Sequence, residues 1–260
     1  MKEGKYIYCI IAEKEVKTFG SLGIGGRGDE LYTICFDDMA AVVSNSLIIN
    51  YSVSRENMLA HEKAIEEVMK EYTVLPVRFA TIAEDEEKVK KILEKEYDKF
   101  KDLLKNIEGK KELGLKAIFS AKGCSASGGT EDIYKDILEK YEDIRVLKEK
   151  LASLPPEKTY YERMEIGKMV EAALQKEKEI YEKDILNILS SLAVEVKTNN
   201  TYGELMILNA AFFIEKHKEK EFDRKVDELA DKYGDKIKFK YVGTLPPFNF
   251  VNLIINMEEY

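Results

Sequence analysis

HEKAIEEVMKEYTVLPVRFAT, running from His61 to Thr81, reads as a helix, one tight connection and a buried strand. His61, Ile65, Val68 and Tyr72 recur at helical spacing on one face, while Glu62, Lys63, Glu66, Glu67, Lys70 and Glu71 cover most of the other. That apolar face needs a sheet, and the β-branched run TVLPVRF supplies a strand at the heart of the first half of the chain. Pro76 brings no backbone N–H, which puts the strand at a sheet edge or a local bulge. A second helical period, Glu84 to Glu108, lies beside it with Val89, Ile92, Leu93, Phe100, Leu103, Leu104 and Ile107 on one side, and Gly109 ends it.

Upstream, Tyr6 to Ile11 is a short apolar strand. Leu31 to Phe36 and Met39 to Ser44 are two more, joined through Asp37 and Asp38 in a tight hairpin. Ser54 stands where it can cap the central helix, with Glu56 in the first turn. The order β-β-β-α-β-α describes an α+β domain over residues 1-110, a modified ferredoxin-like unit with helices on one face of a mainly antiparallel sheet. Gly23, Gly25 and Gly28 formally satisfy G-x-G-x-x-G, but they lead into a strand. A dinucleotide site needs them to feed a helix, so a flexible surface turn is expected.

Downstream, Leu113 to Phe119 is a strand that fits either the end of the first domain or the start of a second. We assign it to the second, residues 111-260. From there the order is strand 113-120, a helical excursion 131-191, strands 193-199 and 203-214, helix 219-233 and strand 236-243. This is β-α-β-β-α-β, a ferredoxin-like α+β unit with a long inserted helical hairpin. The excursion breaks at Leu154-Pro155-Pro156. Ile133, Ile137, Tyr141, Ile144, Leu147 and Leu151 make an apolar stripe before the break, and Ile166, Met169, Val170, Ala173 and Leu174 make one after it. The polar middle of the second arm, Gln175 to Asp184, is expected to project into solvent unless a partner covers it. Helix 219-233 turns Phe222, Val226, Leu229 and Tyr233 inward and stops at Gly234.

The closing YVGTLPPFNFVNLIINMEEY combines two adjacent prolines with Leu245, Phe248, Phe250 and Val251. It cannot continue a central strand, yet it is too apolar to stay in water. A tail over 244-260 is therefore expected to fold back across the body at the interface of the two domains. Its cover is either internal packing or another chain. Leu245, Pro246, Pro247, Phe248, Phe250 and Val251 are the candidate protein-binding residues.

The chain has 260 residues, 45% of them apolar, enough for one large or two ordinary cores. The net charge of -8 is spread over 35% charged residues of interleaved sign, the pattern of a solvated helical surface. No positive stripe stands out, so nucleic acid is not expected as a partner. No apolar run approaches the ~18 residues of a membrane span, and the opening residues do not read as a secretory leader; neither membrane nor export is expected, and the protein is placed in the cytoplasm. The three cysteines, Cys9, Cys35 and Cys124, lie far apart and read as reduced, mostly buried thiols.

Chemistry is sparse. With two histidines no His-rich metal site can form, and His217 reads as a solvated helix start. His61 shares the apolar face of its helix, with Glu62 adjacent and Arg78 able to approach from the strand. As a general base it would need a nucleophile and an oxyanion site, and no recognisable spacing supplies them. A satisfied core or interface histidine is the favoured reading, with metal binding or catalysis the alternative; His61, Pro76 and Arg78 are thus structural candidates. The run Cys124 to Thr130 could offer amides to an anion, but Glu131 and Asp132 put negative charge where a phosphate would rest, and Thr130 reads better as a helix cap. No catalytic residue, cofactor or metal is assigned.

Several of these pieces carry a family resemblance. The run VLPVRFATI resembles the LP-(V/M)-RF-G segment of the gas vesicle proteins GvpF and GvpL, with Ala80 where glycine is common. KYIYCII, FGSLGIGG, DDMAAVVSNS and IGKMVEAAL are similar to further segments of that family, in the same order. The closing YVGTLPPFNFVNLII resembles its G-P-x-P-P-Y-x-F-V run, with Thr244 at the first proline, Phe248 at the tyrosine and Asn249 at the variable position. The resemblance implies two α+β domains and an accessory role in building gas-filled protein shells. It also implies association with the small hydrophobic shell protein GvpA and other minor gas vesicle proteins, location at the gas vesicle, and no enzymatic activity. The competing class is an enzyme or small-ligand regulatory protein on a ferredoxin-like scaffold.

Overall fold

The computed structural model describes residues 2–120, 131–155, 158–251 and 253–257. The chain divides into two compact α+β units, Met1–Glu112 with Gly243–Tyr260, and Leu113–Val242.

In the first unit β1 (Glu3–Ile11) is the centre of the sheet. On one side it pairs antiparallel with β3 (Met39–Leu47), and β2 (Tyr32–Phe36) lies beyond. On the other side it pairs antiparallel with two short pieces, β4 (Leu75–Pro76) and β5 (Ile82–Ala83). The strand expected over TVLPVRF is thus a two-residue edge piece, and β1 takes the central place. Pro76 sits opposite Cys9, at an edge, where a missing donor costs least. Helix α1 (Arg55–Met69) starts as its cap predicts, the Ser54 hydroxyl accepting from the Asn57 N–H at 3.2 Å.

Both faces of this sheet are covered. Tyr6, Tyr8, Ala40 and Val42 pack with Ala64, Ile65 and Val68 of α1 in one core. Ile7, Ala41 and Val43, which point the other way along the pleat, are equally buried. Helices α2 (Glu86–Lys95) and α3 (Tyr97–Ile107) bury Val89, Ile92, Leu93 and Phe100, and α2 contacts β2 and β3. The one-faced layering expected from the element order is therefore corrected. The run YIYCII does not alternate, and an unbroken apolar strand is one buried on both faces. The period read as one helix over 84–108 divides at Glu96, whose φ of -99° and ψ of 9° leave the helical region.

Between β4 and β5 the chain leaves the edge of β1 and returns to it. Ala80 makes this possible with a φ of +63°, in the left-handed region that suits glycine. The glycine that the resemblance implies at this position would take that backbone angle without strain. Ala80→Gly should therefore raise stability by about 0.5–1 kcal/mol, the relief of left-handed strain less the entropy glycine adds to the unfolded chain. Thermal melts of the two proteins check this; an unchanged or lowered midpoint contradicts it.

The second unit has a sheet ordered β7-β8-β6-β9, made of β6 (Lys110–Phe119), β7 (Glu195–Thr198), β8 (Met206–Glu215) and β9 (Ile237–Leu245). Leu113, Leu115, Ala117 and Phe119 of β6 pack with Phe212 of β8, with Ile185 and Leu189 of α6 (Tyr160–Leu189) and with Phe222 and Leu229 of α7 (Glu219–Tyr233). Helices α4 (Glu131–Lys140) and α5 (Glu142–Ala152) lie against α6, with a bend at Tyr141, where φ is -107° and ψ is 92°. In the polar middle of α6, Gln175, Lys176, Glu179, Ile180 and Lys183 face solvent as expected, while two carboxylates are tied down within the chain. Buried Glu177 accepts from Lys140 Nζ at 2.6 Å and from the Tyr141 hydroxyl at 3.0 Å, and Asp184 accepts from Lys232 Nζ at 2.6 Å and from the Tyr233 hydroxyl. The readings made for Cys124, the Thr130 cap and Pro156 lie outside the described residues.

The closing segment is a further correction: expected with the second domain, it belongs to the first unit. Leu253 forms a parallel bridge with Val77, and this contact, distant in sequence, decides where the segment belongs.

Candidate functional site

His61 lies on the inner face of α1 and is 2% exposed. Its Nε2 is 3.2 Å from the Val77 carbonyl oxygen, which can only accept, so Nε2 carries the proton. Nδ1 is then an acceptor, 3.1 Å from the Tyr6 hydroxyl, and Tyr6 in turn accepts the Ala80 N–H at 2.9 Å. The chain of donors runs from Ala80 through Tyr6 and His61 to Val77 and fixes one neutral tautomer. Burial holds the His61 pKa down at about 4, and burial pushes the Tyr6 phenol up. Neither Glu62 nor Arg78 is a partner of the ring. Tyr8 stacks on His61 at 5.7 Å, and Phe79 meets it edge-on at 5.7 Å.

Phe248 reaches the same ring from the closing segment, with centroids 6.1 Å apart. Pro246 and Pro247 are buried, and the chain turns tightly there: the Pro246 carbonyl accepts the Phe248 N–H at 2.7 Å, and the Pro247 carbonyl accepts the Val251 N–H at 2.8 Å. Glu112, 1% exposed, fixes the turn. Its carboxylate accepts the Asn249 backbone N–H at 3.0 Å and the Asn249 side-chain amide at 2.5 Å. The sequence reading missed Glu112, because a lone acidic residue at the head of a strand carries no local sign of a partner far along the chain.

Together these elements wall an open cavity of about 230 Å³, lined by Met58, His61, Pro76, Arg78, Phe79, Phe248, Val251 and Leu253. Two groups of residues singled out separately in sequence thus share one site: His61, Pro76 and Arg78 with Phe248 and Val251. Leu245, Pro246, Pro247 and Phe250 do not line it. Leu245 ends β9, and half-buried Phe250 belongs to the turn behind the cavity. Phe248 stays 42% exposed and Arg78 faces solvent.

Elsewhere the other candidates resolve simply. The glycine-rich segment makes one 3-10 turn, Ile24–Gly26, and then enters β2; no helix follows to cradle a phosphate. Cys9 is buried, which pushes its thiol pKa up, and Cys35 lies near the Glu15 carbonyl at 3.3 Å. Among the described residues no group of three or more His, Cys, Asp or Glu could hold a metal ion, and no helix is long and apolar enough to cross a membrane.

Residues 4–252 match the model of one protein family, described as gas vesicle synthesis protein GvpL/GvpF. Gas vesicle protein F of Dolichospermum flosaquae is 26% identical over 251 residues, 95% of this chain and 97% of that protein. The crystal structure of GvpF from Anabaena sp. PCC7120 superposes with a TM-score of 0.78 at 24% identity, covering 96% of this chain and 99% of the other. That of GvpF from Microcystis aeruginosa gives 0.72 at 23% identity, again over 96% and 99%. These two likenesses establish a shared fold, and with the family match over nearly the whole length the chain belongs to the GvpL/GvpF family of gas vesicle synthesis proteins.

Proposed function

We propose that this chain is a non-enzymatic assembly factor that holds the small hydrophobic shell protein GvpA during gas vesicle nucleation and growth. It works in the cytoplasm and at the gas vesicle, with other minor gas vesicle proteins as further partners. The observation that supports this best is the open apolar cavity beneath Phe248, to which both the VLPVRFATI run and the closing YVGTLPPFNFVNLII run contribute. An exposed aromatic side chain beside a pocket is a typical anchor for a protein partner. Against the competing enzymatic reading stands the burial of His61: the ring is 2% exposed and both its nitrogens face Tyr6 and Val77, so a substrate has little access to either. The second unit follows a ferredoxin-like plan with a helical insertion, a proposal supported by its strand order β7-β8-β6-β9.

Phe248→Ser should weaken association with GvpA by roughly tenfold to a hundredfold while lowering the melting temperature only modestly, because the side chain is 42% exposed and gives up part of its packing. Phe250→Ser should lower both, since it loosens the turn that carries Phe248. Co-purification with GvpA, measured beside thermal melts, separates the two routes. A Phe248→Ser protein that binds GvpA normally takes this cavity out of the interface.

A further inference from the structure

We infer that the Phe248 cavity takes a large apolar side chain of the shell subunit that has a carboxylate beside it, and that Arg78 pairs with this carboxylate. The inference rests on the proposed role in holding the shell subunit and specifies what the site recognises. Size is the first argument. At about 230 Å³ the cavity is smaller than the ~300–1,000 Å³ typical of metabolite sites, and it suits one or two protruding side chains of a protein. The floor is the second. His61 is neutral and its two nitrogens are spent on Tyr6 and Val77, so the floor offers no polar group and accepts only an apolar one.

Charge is the third argument. Arg78 is the one charged residue among those that line the cavity. It is solvent-facing, and its guanidinium makes no hydrogen bond or ion pair with any described residue. Its backbone is held, because the Arg78 carbonyl accepts the Thr81 hydroxyl at 2.7 Å next to the left-handed turn at Ala80. A fixed backbone presenting a free cation at the rim of an apolar cavity is complementary to an apolar residue flanked by Asp or Glu. The protein as a whole carries a net charge of -8, so an acidic partner segment would be repelled by most of the surface and drawn to such a spot.

The test uses overlapping synthetic peptides that tile GvpA, each in its acidic form and with Asp and Glu replaced by their amides, titrated into the full-length protein. An apolar, acidic peptide should bind wild type about tenfold more tightly than its amide form. Arg78→Gln should remove that difference, Arg78→Glu should reverse it, and Arg78→Lys should keep part of it; all three should melt like wild type. Equal binding of the acidic and amide forms overturns the inference. If Arg78 variants bind normally while Phe248→Ser does not, the charge pairing is wrong and the assembly reading stands. If neither position matters, the assembly reading at this cavity falls as well. Arg78-dependent self-association in sedimentation runs would identify a second copy as the occupant instead.

Discussion

Glu112→Ala should lower the stability of this protein by roughly 3 kcal/mol and free its closing segment. Glu112 is buried, and its carboxylate receives the backbone N–H and the side-chain amide of Asn249. Hydrogen bonds to a charged group contribute about 1.5–3 kcal/mol, and removing the acceptor leaves two donors without it. For a chain of this size the melting midpoint should fall by about 6–12 °C. Glu112→Gln should fall between the two, because its amide offers one acceptor and turns a donor toward Asn249. Phe248 is the neighbour of Asn249, so the proposed association with GvpA should weaken together with stability. Hydrogen exchange should show the loss of protection concentrated at residues 248–251. A double-mutant cycle with Asn249→Ala gives the direct check: if Glu112→Ala costs as much in that background as in wild type, the pair does not anchor the segment.

His61 should make the protein less stable as the pH falls below neutral. Its pKa is about 4 in the folded protein and near the ordinary ~6.5 in the unfolded chain. Between those values the unfolded state binds the extra proton, so the stability present above about pH 6.5 is lost as the pH falls toward 4. The integrated loss is roughly 3 kcal/mol. His61→Gln can still donate to Val77 and accept from Tyr6, at a cost of about 1–2 kcal/mol at pH 7.5 for imperfect packing. It cannot titrate, so wild type should hold its advantage at pH 7.5 and lose it by about pH 5. Denaturant melts of both proteins across this range provide the measurement. Parallel pH profiles would show that His61 does not titrate in this window. Gas vesicle formation should persist in the Gln variant, whereas its loss with unchanged stability would restore a chemical role for the imidazole.

Much of the local structure was legible from residues alone. The apolar spacing of α1 and α7, the Ser54 cap, the Asp37-Asp38 hairpin and the stop at Gly234 all depend on forces that act within a few residues, so a one-dimensional pattern records them. The composition of the closing segment likewise demanded cover. The sequence also marked Ala80 as unusual through the resemblance, and the +63° φ gives the physical reason.

What supplied the cover was decided by tertiary structure. Glu112 and Asn249 are 137 residues apart, and neither has a neighbour that announces the other. The same holds for the Tyr6–His61–Val77 chain, the bridge from Val77 to Leu253 and the membership of the closing segment in the first unit. The breaks at Glu96 and Tyr141 interrupt apolar stripes that run on without a signal in the local pattern. Periodicity can state that a face must be buried, but the choice of what buries it is a sum over contacts distant in sequence, and only the folded chain completes that sum.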